Sequence, residues 1–353
     1  MNPYDFVRID WNKTPERRPA SPLDRFTGLS GRMTGTVTAL APIFIPYKRG
    51  GSPKGFLRNG QGKAVIPGSS LKGLFRSLVE TIGPGCWWLY DGKYKKDEGM
   101  YDHYENNLPE VFKRCSNHQQ LCIACRTFGM MSSHDHFAGK VGFNDAVCID
   151  EKRHENIYTP ILDNPKPRHR VWYLNGNKVA GRKFYFHQPI IKTEREQKKT
   201  RQNIQLNEHI IPLNKGSQFE FTAHFENLNE TDEWPLLLYV IVLETDIRHK
   251  IGYAKPAGLG SVQIDLKEIV LRDPTARYRG SASSPSRSYT GEALSGYLSE
   301  HSQKFVADHS SLTLQDLRRI WRWPPTSGVE YRYPYREWFD EFPQASIAET
   351  MEK

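Results

Sequence analysis

A group of cysteine and histidine residues near the middle of the chain has the spacing of a metal site. Cys122 and Cys125 form a C-x2-C pair, and Cys115 and His118 lie shortly before it. Thiolates and an imidazole at this spacing can fill the four positions of a structural zinc ion. We therefore predict a zinc site, with Cys122 and Cys125 as the firmest ligands and Cys115 as the next.

The fourth zinc ligand stays open on sequence grounds. His118 is the nearest candidate, but Cys86 and His103 could reach the same place from the preceding loop. The alternative for the whole group is a set of free thiols near a turn. A redox-active pair is less well supported, because no thioredoxin-like βαβ pattern surrounds it. Catalytic zinc also fits poorly, since four candidate ligands leave no open position.

A second candidate site is the start of a predicted helix over residues 70–81. It follows a Pro-Gly turn, and Ser69 or Ser70 is predicted as its N-cap. Lys72 and Arg76 lie four residues apart on its polar face. Free N–H groups, the helix dipole and two cations at one place suit a phosphate. The alternative is an ordinary amphipathic helix with a solvated basic face.

The segment that contains this helix start is basic and free of acids. No Asp or Glu occurs from residue 25 to residue 79, although ordinary surfaces mix both signs of charge. The resulting positive field should attract a polyanion. Residues 46–67 are rich in glycine and are predicted to form a long loop. Its cations include Lys48, Arg49, Lys54 and Arg58.

Two smaller features remain open to more than one interpretation. Gly258 and Gly260 follow Lys255 at the entry to a predicted strand, and their N–H groups could cradle a phosphate or form an ordinary tight turn. His136 neighbours an aspartate, but histidines in such loops are more often structural than catalytic.

Composition narrows the class of protein and of partner. The chain has 353 residues, five cysteines and a formal charge of +9. An odd number of cysteines without an export signal favours a cytoplasmic protein over a disulfide scaffold. We find no apolar run that could span a bilayer, so no membrane partner is expected. A basic protein in this compartment most often binds nucleic acid.

Hydrophobic periodicity predicts an α+β fold. Apolar alternation predicts strands over residues 32–46, 140–150, 218–225 and 261–271, and helices are predicted over 70–81 and 234–244. Their order, β-α-β-β-α-β, is typical of a ferredoxin-like core. We predict one domain over residues 1–272, with insertions over 83–139 and 151–212. A C-terminal extension over 273–353 would carry two helices (290–306 and 312–321) and an aromatic tail suited to docking a neighbouring subunit.

Four short motifs resemble those of RAMP-superfamily backbone subunits of type III CRISPR effector complexes. Their order and spacing match across about residues 30–270. The motifs are IPGSSLKG at 66–73, CIACRTFG at 122–129, GFNDA at 142–146 and GLGS at 258–261.

The resemblance implies a modified RRM-like core with a zinc knuckle and a thumb hairpin within residues 151–212. It implies CRISPR RNA, target RNA and other RAMP-type subunits as partners, with guide phosphates held by the basic loop, helix 70–81 and nearby motif residues. The resulting RNA-binding candidates are Lys48, Arg49, Lys54, Arg58, Ser69, Ser70, Lys72, Arg76, Arg126, Lys255, Gly258 and Gly260.

One departure from the family pattern bears on catalysis. Target-cleaving members carry an aspartate in the loop between the first strand and this helix, but residues 46–66 contain no carboxylate. Cleavage of a phosphodiester needs a positioned acid, base or metal ligand. We therefore expect a guide-binding subunit that does not itself cleave. The alternatives are an endoribonuclease, cutting target RNA or processing the guide precursor, and a general RRM-like module.

Overall fold

The computed structural model describes residues 1–21, 25–47, 52–87, 93–95, 101–103, 108–162, 170–176, 178–193, 207–273, 286–308, 311–334, 338 and 341–347. Within those segments, every helix falls short of the length or the hydropathy that a bilayer-spanning segment needs.

The strands and helices are numbered along the chain. The strands are β1 (Tyr4–Val7), β2 (Leu29–Ala39), β3 (Val65–Ile66), β4 (Lys93–Lys95), β5 (Tyr101–His103), β6 (Gly129–Met131), β7 (His136–Ala138), β8 (Val141–Phe143), β9 (Ala146–Asp150), β10 (Ile157–Tyr158), β11 (Leu174–Asn175), β12 (Lys178–Val179), β13 (Arg182–Tyr185), β14 (His209–Ile210), β15 (Gln218–Leu228), β16 (His249–Lys250), β17 (Ser261–Arg272) and β18 (Ser286–Thr290). The helices are α1 (Gly68–Ile82), α2 (Ile123–Phe128), α3 (Arg170–Tyr173), α4 (Glu233–Val242), α5 (Gly291–Asp308) and α6 (Leu312–Ile320).

An antiparallel sheet forms the centre of the fold. Its strands lie in the order β16-β17-β2-β15-β9-β3, with β8 also paired to β15 and β18 to β17. In β2, Val37 lies opposite Phe219 of β15 on one side and Ile264 of β17 on the other. In β15, buried apolar residues alternate with more exposed residues, as expected of a strand with one buried face. The predicted α+β class is confirmed.

Helices α1 and α4 pack against each other and against this sheet. In α1, Leu71, Phe75 and Leu78 are buried along one stripe, because apolar residues recur at helical spacing. Helix α4 is buried almost all round, and Asp232 caps it by accepting a hydrogen bond from the N–H of Glu233 (2.6 Å). The elements β2, α1, β8 with β9, β15, α4 and β17 follow the predicted order.

Two predicted strands differ from those in the structure. The first strand ends at Ala39 rather than at residue 46, and beyond it the chain makes only isolated bridges, such as Ile43 to Leu213. Prolines at 42 and 46 lack the N–H that a ladder needs, which explains the early end. The strand predicted over 140–150 is divided into β8 and β9.

The two insertions pack on the core through small elements. In the first, α2 is followed by the hairpin β6-β7, and β4 pairs with β5. In the second, β10 pairs with β14, and β13 pairs with the N-terminal strand β1. Strand β1 was not predicted from sequence. The thumb within residues 151–212 stays a prediction, because residues 163–169 and 194–206 lie outside the described part.

The C-terminal segment shares the main core, while its docking to a neighbouring subunit stays a prediction. The ring of Phe305 in α5 stacks on Tyr239 of α4 at a centroid distance of 4.5 Å. At the end of α6, Trp321 is buried against Phe184 and His249. These aromatic side chains are therefore used inside the chain. The boundary at residues 272 and 273 stays a prediction.

Candidate metal centre and nucleic-acid interface

Four cysteines from two parts of the first insertion meet in a buried cluster. Their Sγ atoms all lie within 4.8 Å of one another, and each cysteine is 0% exposed. The Sγ atoms of Cys86 and Cys125 are 3.6 Å apart. Zinc–sulfur bonds of about 2.3 Å in a tetrahedron place sulfur atoms about 3.8 Å apart. The members of this cysteine cluster are Cys86, Cys115, Cys122 and Cys125.

Donors from the protein surround the sulfur atoms. The N–H of Cys86 donates to Cys122 Sγ (3.4 Å), and the N–H of Cys122 donates to Cys115 Sγ (3.2 Å). The guanidinium of Arg76 donates to Cys125 Sγ (3.4 Å). Such contacts favour negative charge on sulfur and orient thiolate ligands. The cluster therefore fits a tetrahedral thiolate-bound metal, and zinc in particular has these ligand preferences.

The fourth member is Cys86 rather than His118, which corrects the nearest-neighbour prediction. The Nδ1 atom of His118 lies 2.7 Å from Asp135 Oδ2 at the surface, outside the cluster. Cys86 reaches the cluster because it follows the end of α1, and α1 packs against α2, which begins directly after Cys122. The side chain of His103 lies outside the described part of the chain. His136 is exposed in the β6-β7 hairpin.

A groove of about 490 Å³ lies between α1, β13, β16 and the segment that follows β16. Helix α1 contributes Ser70, Gly73 and Ser77. None of the described residues that line the groove is an aspartate or a glutamate. Its cations are Lys183, Lys250 and Lys255.

The three lysines of this lysine groove differ in their contacts. Lys250 is 3% exposed, and its Nζ atom has no hydrogen-bond partner among the described residues. The Nζ atom of Lys183 lies 3.6 Å from the centroid of the Tyr4 ring, a cation–π contact. Lys255 donates a hydrogen bond to the carbonyl of Gly252 (2.8 Å). None of these contacts supplies a negative charge.

Burial and mutual repulsion weaken the charge of these lysines. Burial, followed by the charge of Lys255, lowers the pKa of Lys250 to about 7 and that of Lys183 to about 8. Burial also lowers the pKa of Lys255. An ammonium group in a poorly solvated place is stabilised by a nearby anion. The lysine groove therefore has the electrostatic character of an anion-binding site.

The sequence-based RNA candidates are only partly brought together here. Ser70 and Lys255 line the groove. Lys72 lies nearby on α1, and burial lowers its pKa, with Arg76 as the second cause. Ser69 is exposed.

The predicted N-cap of α1 is wrong. Helix α1 begins at Gly68, so Ser69 and Ser70 lie inside its first turn and neither side chain caps it. Asp145 Oδ1 accepts a hydrogen bond from the N–H of Gly68 instead (2.8 Å). The positive end of the helix dipole is thus met by a carboxylate of the chain itself.

Two arginines on the candidate list hold the fold together. Arg76 forms an ion pair with Glu80 (2.8 Å) and donates to the carbonyl of Gly129 (2.8 Å). Arg126 is buried and bonds to Asp232 (2.7 Å) and Glu233 (3.2 Å) at the start of α4. These contacts argue against the assignment of both arginines to RNA, because cations with carboxylate partners in or near the core are already neutralised.

Cations of the glycine-rich loop are paired at the surface. Arg58 makes two hydrogen bonds to Glu151 (2.9 and 2.7 Å), and Lys54 forms an ion pair with Glu208 (2.7 Å). Exposed pairs of this kind are weak, so an RNA phosphate could compete for either cation. Lys48 and Arg49 lie outside the described residues.

The proposed phosphate cradle at the second glycine loop is corrected. The N–H of Gly258 donates to Lys255 O (3.2 Å), and that of Gly260 donates to Pro42 O (2.8 Å). A Cβ at Gly260 would lie 1.9 Å from Ile251 O, so glycine here permits close backbone packing at a φ of 81°. Both N–H groups are therefore already used.

Sequence reasoning did not select Lys183 or Lys250. Lys183 lies beside Tyr4 because β13 pairs with β1, and Lys250 lies in a two-residue strand. The sequence held only a partial signal for these residues, because lysines occur at positions 250 and 255 on either side of a glycine.

The family of the chain follows from a match to a family model. The model of the RAMP superfamily matches residues 36–263, well over half of the chain, and this range includes the cysteine cluster and the three lysines of the lysine groove. The chain belongs to the RAMP superfamily. No curated protein sequence matches it. RAMP membership indicates a CRISPR-associated RNA-binding subunit.

Proposed function

We propose that this RAMP protein is a CRISPR RNA-binding backbone subunit of a type III effector ribonucleoprotein, in antiviral defence, and that the lysine groove holds guide phosphates. The observation that carries this proposal is the convergence of three lysines in a groove whose described lining holds no carboxylate. Such a surface attracts a ribose-phosphate chain of any sequence, as a guide-binding subunit requires.

The surroundings of the groove support a single-stranded ligand. Tyr185 and Tyr253 line it beside the lysines. Aromatic rings next to cations are typical of proteins that bind single-stranded RNA, because bases stack on rings while cations hold phosphates. The strand order β17-β2-β15-β9 supports an RRM-like core. We infer that other RAMP-type subunits and target RNA bind to surfaces outside the groove. We also infer that residues 151–212 contain a thumb hairpin.

A non-cleaving role is part of the proposal. The carboxylates of Glu151 and Glu208 reach the glycine-rich loop, but they form ion pairs with Arg58 and Lys54. A paired carboxylate is poorly suited to act as a base. We further propose that the cysteine cluster holds structural zinc, which would join the end of α1 to α2.

The test is RNA binding by a double variant, Lys183→Met with Lys255→Met, which removes two charges and keeps the apolar stems. Lys215→Met with Lys304→Met is the matched control, since both lysines are exposed and do not line the groove. We expect the affinity for single-stranded guide RNA to fall at least tenfold for the groove variant. The magnitude of the slope of log affinity against log salt should decrease by about 1.4, because each of the two lost phosphate contacts contributes about 0.7.

Equal affinity and an equal salt slope in the two double variants would refute the groove as the RNA site. Cleavage of complementary RNA that depends on this subunit in the assembled complex would favour the endoribonuclease alternative instead.

A further inference from the structure

Lys250 is the lysine of the groove whose side-chain nitrogen is buried without a hydrogen-bond partner among the described residues. It lies in the two-residue strand β16, which pairs with β17 at the edge of the central sheet. Lys250 is among the residues that line the lysine groove, yet its Nζ atom is buried and has no hydrogen-bond partner among the described residues. A buried ammonium without a partner is costly, whereas an amine without charge is tolerated there.

Among the residues that the structure describes, the groups around Lys250 offer no compensating negative charge. Burial lowers the pKa of His187 to about 3 and that of His249 to about 4, so both imidazoles are neutral above pH 6. Burial raises the pKa of Tyr185 and Tyr253, so both phenols stay neutral as well. The cationic groups are Arg248 and Lys255, on the same segment, and Lys183 of β13, which also lines the groove.

The carboxylate of Glu208 influences one residue of the groove. Its negative charge adds to the rise in the pKa of Tyr253, but its Oε2 atom forms an ion pair with Lys54 at 2.7 Å. The described lining of the groove thus holds no carboxylate that would keep Lys250 charged while RNA is absent.

We propose that RNA binding in the lysine groove is coupled to proton uptake, with Lys250 taking a proton from solvent as a phosphate enters. This inference rests on the proposed function of the same groove. The neutral amine becomes an ammonium ion, and the phosphodiester keeps its single negative charge, so one proton is consumed for each groove in which Lys250 starts as the neutral amine. RNA binding by this subunit is therefore sensitive to pH in the range where most RNA-binding surfaces are not.

The size of the effect follows from the free state of Lys250. With a pKa of about 7, half of the free protein carries the charged form at pH 7 and about one molecule in a hundred at pH 9. If RNA binds only the charged form, affinity falls about fiftyfold over this interval. Lys183, with a pKa of about 8, adds to the loss in the same direction.

The experiment measures binding of guide-length single-stranded RNA to the full chain at constant salt from pH 7 to pH 9. Calorimetry at pH 8 in two buffers with different ionisation heats counts the protons taken up. Lys250→Met removes the titrating group and keeps most of its stem. Lys304→Met is the matched control, because this lysine is exposed on α5.

We expect the wild type and the Lys304→Met variant to lose at least tenfold in affinity between pH 7 and pH 9, with binding heats that depend on the buffer. Lys250→Met should bind more weakly at pH 7 and lose about one proton of uptake. Affinity that is independent of pH, with equal heats in both buffers, would overturn the coupling. An unchanged pH dependence in folded Lys250→Met would overturn its assignment to Lys250. Absence of RNA binding at every pH would instead remove the proposed function.

Discussion

Raising the pH from 7 to 9 should stabilise the RNA-free fold, and the groove lysine Lys250 should account for much of the gain. In the folded chain its pKa is lowered to about 7, chiefly by burial. In the unfolded chain a lysine has a pKa of about 10.4. Between these values the unfolded state binds a proton that the folded state releases. Stability therefore rises with pH through this window.

The magnitude follows from the two pKa values. At pH 7 the folded protein is half protonated at this position, whereas the unfolded chain is almost fully protonated at both pH 7 and pH 9. Integrating the difference in bound protons over this interval gives about 2 kcal/mol for Lys250. Lys183 and Lys255, whose pKa values are also lowered, contribute with the same sign.

The assay is urea unfolding of RNA-free, zinc-saturated protein under reducing conditions at pH 7 and pH 9. The variant Lys250→Met should be more stable than wild type at pH 7, and its gain on going to pH 9 should be smaller by about 2 kcal/mol. The comparison isolates one group, because other titrating groups are common to both proteins. A gain that is identical in wild type and variant would show that Lys250 keeps its charge in the folded state, and the reasoning would fail.

Two further predictions concern the elements that hold the groove. Cys86→Ser should lose the bound zinc, which elemental analysis reports as about one ion per wild-type chain, while His118→Ala should retain it because that imidazole lies on Asp135. Full zinc content in the serine variant would contradict the ligand assignment. Asp145→Ala should reduce the free energy of unfolding by about 1 kcal/mol, since α1 loses its capping carboxylate. Asp150→Ala is the control in urea unfolding, because the Asp150 side chain is 46% exposed and makes only a weak surface ion pair with Lys152. It should change stability by less than about 0.5 kcal/mol; equal effects would argue against the cap.

Elements whose signal is local were predicted well. The apolar stripe of α1 and the alternation in β15 depend on the periods of helix and strand, which neighbouring residues express directly. Both elements extend a few residues beyond their predicted ends, where the pattern weakens. The cap of α4 at Asp232 is equally local, because capping acts within one turn.

Predictions that depended on distant partners were less reliable. Ser69 and Ser70 suit an N-cap, but Asp145 takes that role from a loop far along the chain. Arg76 looks like a solvated cation on the sequence, yet Glu80 and a cluster sulfur hold it inside. His118 is closer in sequence to the C-x2-C pair than Cys86, but packing of α1 on α2 selects the cysteine.

The chain by itself determined the order of its elements, the thiol-rich composition of its candidate metal site and the excess of positive charge that suits RNA. These properties depend on residue type and short-range periodicity, which need no knowledge of distant contacts. Tertiary structure alone decided which cations remain without acids. Pairing of β13 with β1 and of β16 with β17 brought Lys183 and Lys250 to the groove beside α1, while buried carboxylates neutralised Arg76 and Arg126. A charge becomes a binding group only after its neighbours in space are known, because the same side chain is neutralised by one partner and left available by the absence of another.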